Sequence, residues 1–214
     1  ESRAAAAGGV PTVFDMPNCV PQTTTMGAFD EKCRIAAQKS VVNYGFFFGA
    51  TAGNAYELER LNCRKIAGVK LFMGASTGNM LVDNERALQA IFDHSPLPIV
   101  THCENSQLIA ENAKRIQEAY GKDPDVIHHA EIRNADVCYE STALAVKLAR
   151  ESGARLHVAH LSTARELELF TDNNPLITAE ACVGHLLFCD EEYARLGTRI
   201  KVTPAIKSVA DRDA

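Results

Sequence analysis

The feature that most constrains this chain is a regular alternation of two kinds of segment. Short apolar runs rich in Val, Ile, Phe and Leu occupy residues 12–15, 41–51, 68–73, 97–101, 155–161 and 176–182. Between them lie segments with helical spacing at 32–38, 55–62, 84–93, 106–120, 136–152 and 163–170, with Gly153 as the stop of the fifth. That order makes about six β-then-α units and predicts a parallel sheet covered by helices. Strands buried on both faces should read as nearly continuous apolar runs, and most of these do. With 214 residues, 46% of them hydrophobic, the chain can build one sizeable core. An open doubly wound sheet and a (β/α)8 barrel both satisfy the alternation. The absence of G-x-G-x-x-G after the first strand counts against a dinucleotide-binding version.

Polar residues interrupt this pattern at comparable places. Asn18, Lys70, His102 and His160 each fall at or near the C-terminal end of a different strand. In a barrel those ends build the catalytic face. Lys70 sits in Gly-Val-Lys-Leu-Phe-Met-Gly, where burial disfavours the ammonium and favours a neutral amine. A neutral amine can take up carbon dioxide to give a carbamate with two oxygens for cations. The competing reading is a lysine whose stem is buried and whose head reaches water. His102, in Val-Thr-His-Cys-Glu, and His160, in Val-Ala-His-Leu-Ser, can share a metal if their strands are neighbours. Either one alone reads equally as a hydrogen-bonded rim residue.

Asn18, stiffened by Pro17 and Pro21, presents an amide able to donate to a carboxylate or carbonyl, or serves as an ordinary turn residue. Glu104 is suited to orienting His102 or to capping the helix that follows. His157, three residues before His160, should face the other way. His128 and His129 read as part of a solvated connection, and His94 and His185 have no strand-end context that demands chemistry, although His185 comes close behind a strand.

Composition removes other classes. A formal net charge of -5 makes the chain a poor partner for nucleic acid or an anionic membrane surface. No apolar run approaches the roughly 20 residues of a membrane span. Seven cysteines without C-x-x-C spacing read as buried thiols in a reducing compartment, and a cytoplasmic location is expected.

The motifs, taken in order, are similar to those of the dihydroorotases of the amidohydrolase superfamily. They are Met16-Pro-Asn-Cys-Val-Pro21 with Gln22-Thr-Thr-Thr25, Val69-Lys-Leu-Phe-Met-Gly74, Thr101-His-Cys-Glu-Asn105, His157-Val-Ala-His-Leu-Ser-Thr163, Thr178-Ala-Glu180 with His185-Leu186, and Lys201-Val-Thr-Pro-Ala-Ile-Lys207. The M-P-N-x-x-P segment points to dihydroorotase, whereas the lysine and histidine motifs are shared with hydantoinases and allantoinases. The resemblance implies an amidohydrolase-type (β/α)8 TIM barrel, incomplete in this chain and covering about strands 2 to 7, with residues 1–214 as barrel core. It implies two zinc ions bridged by Lys70 in N6-carboxylated form, with His102 and His160 as further metal ligands. Asn18 matches the residue that holds the substrate carboxylate, and Thr203 falls in the loop that contacts the pyrimidine ring. That loop is usually N-P-P-L-R; here Thr203, Ala205 and Lys207 replace its asparagine, second proline and arginine, and Gly184 stands where a histidine is usual.

The family's H-x-H motif and its last-strand aspartate, the proton-transfer group, have no counterpart in these residues. The expected function is interconversion of dihydroorotate and N-carbamoyl-aspartate, with little activity from these 214 residues alone. The alternatives are an allantoinase or hydantoinase, and a non-catalytic dihydroorotase-like subunit. The expected partners are a small cyclic amide, further copies of the chain and a transcarbamoylase.

Overall fold

Six short strands run in the sheet order β1-β2-β3-β4-β5-β6 in the computed structural model, which describes residues 1–74 and 80–214. They are β1 (Thr12–Asp15), β2 (Asn43–Gly49), β3 (Gly68–Phe72), β4 (Ile99–His102), β5 (Leu156–Val158) and β6 (Ile177–Ala179). Strand order therefore follows chain order. β1 pairs parallel with β2, β2 with β3, and β5 with β6. With helical segments between the strands, this is an incomplete (β/α) barrel.

The chain divides into two compact units. One comprises Glu1–Phe72 and Ser76–Val100, the other Met73–Ala75 and Thr101–Ala214. In the first, Phe29, Phe48, Leu58, Leu71, Ile91 and Phe92 are almost fully buried. All five residues of β3 are buried, as the apolar run predicts. β1 departs from that expectation: Phe14 is 60% exposed, although its ring packs on Phe47 with centroids 6.2 Å apart. In the second unit the helix Ala135–Ser152 buries Val137, Cys138, Ser141, Thr142, Ala145, Val146, Leu148 and Ala149. These positions repeat at three- and four-residue intervals and form one stripe. Asn134 caps this helix by accepting from Val137 N, and Gly153 ends it at φ 72°, the left-handed conformation that glycine adopts without a Cβ penalty.

Several segments are shorter or tighter than their sequence suggests. Residues 55–62 and 163–170 form the 3-10 helices Ala55–Arg60 and Arg165–Phe170 rather than α-helices. So short a segment closes few i→i+4 bonds, and its ends are met by i→i+3 bonds such as Leu61 N to Leu58 O at 3.0 Å. β5 stops at Val158 because His160 adopts φ 45°, which breaks the extended backbone. Among the described residues no helix is long and apolar enough to cross a membrane, and no disulfide is present. Cys103, Cys138 and Cys189 are buried, but Cys63 and Cys182 are exposed, so the cysteines are not uniformly core residues.

Gly74, directly after β3, explains the glycine of the Lys-Leu-Phe-Met-Gly run. A Cβ there would land on the Glu104 carbonyl oxygen and lie 2.8 Å from the Glu104 Cβ, so the backbone would have to shift. Gly74→Ala is expected to destabilise the fold by about 3 kcal/mol. A lower urea midpoint with unchanged slope is the expected result, and an unchanged midpoint would show that the contact relaxes freely.

Candidate active site

The first unit carries Lys70 and Asn18. Lys70 is the middle residue of β3, only 3% exposed, and its strand position is fixed by pairing with Gly49 and by Ala50 N donating to its carbonyl at 2.9 Å. Its Nζ lies 5.0 Å from the centroid of the Phe72 ring. The side chain is therefore packed within the strand rather than extended into water. Asn18 is exposed, three residues past β1. The segment that presents it is well tied. Lys32 Nζ donates to Met16 O at 2.8 Å and pairs with Asp15 at 2.9 Å, while Thr23 N donates to Pro17 O at 2.9 Å. The buried Asn54 side chain adds donors to Thr24 O at 3.1 Å and Gly49 O at 2.9 Å.

The second unit brings His102 and His160 together. His102 ends β4 and is buried; His160 follows β5. Their rings meet edge to face with centroids 4.9 Å apart, and His102 Nδ1 lies 3.2 Å from His160 Nε2. On its other side His102 Nε2 lies 2.7 Å from Glu104 Oε2. A carboxylate only accepts, so His102 Nε2 carries a proton and donates it to Glu104, while Nδ1 faces His160. Two nitrogens bound to one tetrahedral metal at about 2.0–2.1 Å would lie about 3.3 Å apart. The observed separation fits two imidazoles sharing one cation. Among the described residues no group of three or more His, Cys, Asp or Glu side chains could hold a metal. The left-handed backbone of His160 is uncommon for a residue with a Cβ, and such conformations concentrate at functional sites.

Glu104 does not cap the helix Ser106–Tyr120; Asn105 does, accepting from Gln107 N and Leu108 N. Glu104 is instead fully buried between His102 and Arg133, whose guanidinium pairs with the same Oε2. Burial by itself would raise its carboxyl pKa, but the His102 hydrogen bond and the charges of Arg133, His102 and Lys207 outweigh that and hold it below the usual carboxylate range. Glu104 Oε1 is buried and makes no hydrogen bond among the described residues. The arrangement places a carboxylate behind His102 and fixes the orientation of its ring. His157 turns away to Thr178 Oγ1 at 2.9 Å and Glu180 at 3.3 Å, as strand alternation predicts.

Thr203 is exposed in the segment 201–207, while Pro204, Ala205, Ile206 and Lys207 are buried. Lys207, in place of the family's arginine, turns inward and donates to Ala205 O at 3.1 Å and Ser162 Oγ at 3.3 Å. Nearby, Glu166 accepts from Thr142 at 2.6 Å and Thr163 at 2.8 Å, and burial raises its pKa in spite of those bonds. Burial likewise pushes the Cys138 thiol up to about 12, so it is no nucleophile near neutral pH. His128 and His129 are not solvated: both are 8% exposed, because Tyr120 stacks on His128 at 3.9 Å and His129 packs edge-on to Tyr193. Arg133 carried no sequence signal, and the partners of His129 and His185 could not be read from the sequence, since all three partners lie 19 to 73 residues away.

Comparison with known proteins agrees with the fold and the motif order. No family model matches the chain. The dihydroorotase of Methanothermobacter thermautotrophicus is 31% identical over 214 residues, covering 99% of this chain and 47% of that protein. The allantoinase of Rubrobacter xylanophilus is also 31% identical, covering 96% of this chain and 47% of its own length. The L-hydantoinase (dihydropyrimidinase) structure from Arthrobacter aurescens superposes with a TM-score of 0.89 at 29% identity, over 99% of this chain and 48% of that one. The chain thus spans about half the length of the curated relatives it matches. Fold and strand-end residues define a (β/α) barrel of the amidohydrolase type. Along 96–99% of its length the chain is similar to dihydroorotases, allantoinases and hydantoinases.

Proposed function

We propose that the protein is a metal-dependent hydrolase of a cyclic amide, and within that class a cytoplasmic dihydroorotase. The observation that carries the first part is the convergence of His102 Nδ1 and His160 Nε2 at 3.2 Å, with Glu104 behind His102. The dihydroorotase assignment leans on the Met16-Pro-Asn-Cys-Val-Pro21 segment. His102 and His160 are the imidazole ligands, and Lys70 takes the role of the family's carboxylated lysine. When bound, zinc would polarise the ring amide carbonyl and lower the pKa of water. The chain's own residues do the rest of the positioning. Glu104 accepts the His102 Nε2–H and orients the ring so that Nδ1 faces His160. Asn18 donates its side-chain amide N–H to the substrate carboxylate, and Thr203 meets the ring.

The test uses the natural full-length protein with dihydroorotate, allantoin and hydantoin as substrates, before and after chelation. Chelation is expected to abolish turnover, zinc to restore it, and dihydroorotate to be preferred. Full turnover in protein shown to be free of metal would refute the metal-dependent reading. A preference for allantoin or hydantoin would move the substrate within the family, and zinc binding without turnover of any of the three would favour the non-catalytic subunit.

A further inference from the structure

Two imidazoles grip the backbone on either side of Thr203. His129 Nε2 lies 2.8 Å from Val202 O, and His185 Nε2 lies 3.0 Å from Pro204 O. A carbonyl only accepts, so both histidines carry the proton on Nε2. They come from separate short helices, His129–Ile132 and Val183–Leu187, far apart in sequence. Other groups fix the rest of the segment: Ile206 N donates to Tyr193 OH at 3.2 Å, and Lys207 Nζ donates to Ala205 O. The carbonyls of residues 202, 204 and 205 are thus each held by a side chain, while Thr203 between them is exposed.

Both rings are held neutral: burial lowers each pKa, more strongly than the carbonyl bond raises it. His185 Nδ1 is buried without a partner among the described residues, which an unprotonated nitrogen tolerates far better than a second N–H would. An apolar side chain would fill either position at lower desolvation cost, so the N–H is what the position requires.

We propose that His129 and His185 are positioning residues that set the place of Thr203 against the substrate ring by donating Nε2–H to the carbonyls of its two neighbours. The inference rests on the reading of Thr203 as a ring-contacting residue. It assigns specificity to two histidines that touch no substrate themselves and act only through the loop.

The experiment compares His129→Leu and His185→Leu with His129→Gln and His185→Gln in the zinc-loaded full-length protein, since the glutamine amide can still donate. Each leucine variant is expected to raise KM for dihydroorotate about tenfold, the equivalent of one buried hydrogen bond, with a smaller change in kcat. Each glutamine variant should return KM toward wild type. Hydrogen exchange of residues 201–207 should accelerate in the leucine variants and not in the glutamine ones, and this readout holds even if the protein turns over no cyclic amide. Imidazole 15N shifts of the wild-type protein supply a check free of folding defects: both rings should be protonated at Nε2 and bare at Nδ1. Wild-type KM and exchange in the leucine variants, equal damage from leucine and glutamine, or the opposite tautomer would each overturn the proposal.

Discussion

Replacing Lys70 with methionine is expected to reduce turnover to background and to lower the zinc content of the purified full-length protein. Lys70 is a single amine in a strand whose five residues are all buried, and its head lies over an aromatic ring rather than in water. Such burial favours the neutral amine, the form that takes up carbon dioxide. Methionine preserves much of the volume and stem but supplies neither a charge nor a carbamate. Lys70→Arg sharpens the test, because a guanidinium stays protonated and cannot be carboxylated. Both variants should be inactive, and metal-stripped wild type should recover best when zinc and bicarbonate are supplied together. An active arginine variant, or recovery indifferent to bicarbonate, would mean that Lys70 acts as a fixed cation.

The second large effect is expected at Glu104. Its carboxylate is fully buried and serves His102 and Arg133 through one oxygen. Glu104→Leu leaves the guanidinium of Arg133, whose side chain is 15% exposed, without its counter-charge. Breaking a buried pair in this way costs about 3–5 kcal/mol, and losing the orienting group behind a metal-binding histidine weakens metal affinity about 10–100-fold. The double variant Glu104→Leu/Arg133→Leu separates the two effects. It should regain much of the stability, because no unpaired charge remains, yet bind zinc as weakly as the single variant. Urea denaturation of the metal-free proteins and a competitive zinc titration measure these quantities. If the double variant also recovered zinc affinity, Glu104 would be serving only Arg133. The sign of the pH dependence follows from the depressed carboxyl: the stability it contributes is present above the ordinary carboxylate range and is lost as pH falls through its folded value.

What the sequence by itself determined is the part written in local periodicity. Apolar runs at β3 and β4 made buried strands, Gly153 ended its helix, and Lys70 and His102 stood out because a charge or an imidazole interrupts a nearly continuous apolar run. His157 and His160 could be assigned to different environments on the same ground. Tertiary structure alone decided the rest. Glu104 had two reasonable local roles, and the choice fell to Arg133, 29 residues away, and to Asn105, which took the helix cap. His128 and His129 looked solvated beside Lys122 and Asp123, but Tyr120 and Tyr193 bury them. The clamp on Thr203 joins His129 to Val202 across 73 residues. Periodicity records which face a residue presents along its own element; it carries no record of which distant side chain will meet that face once helices and strands pack.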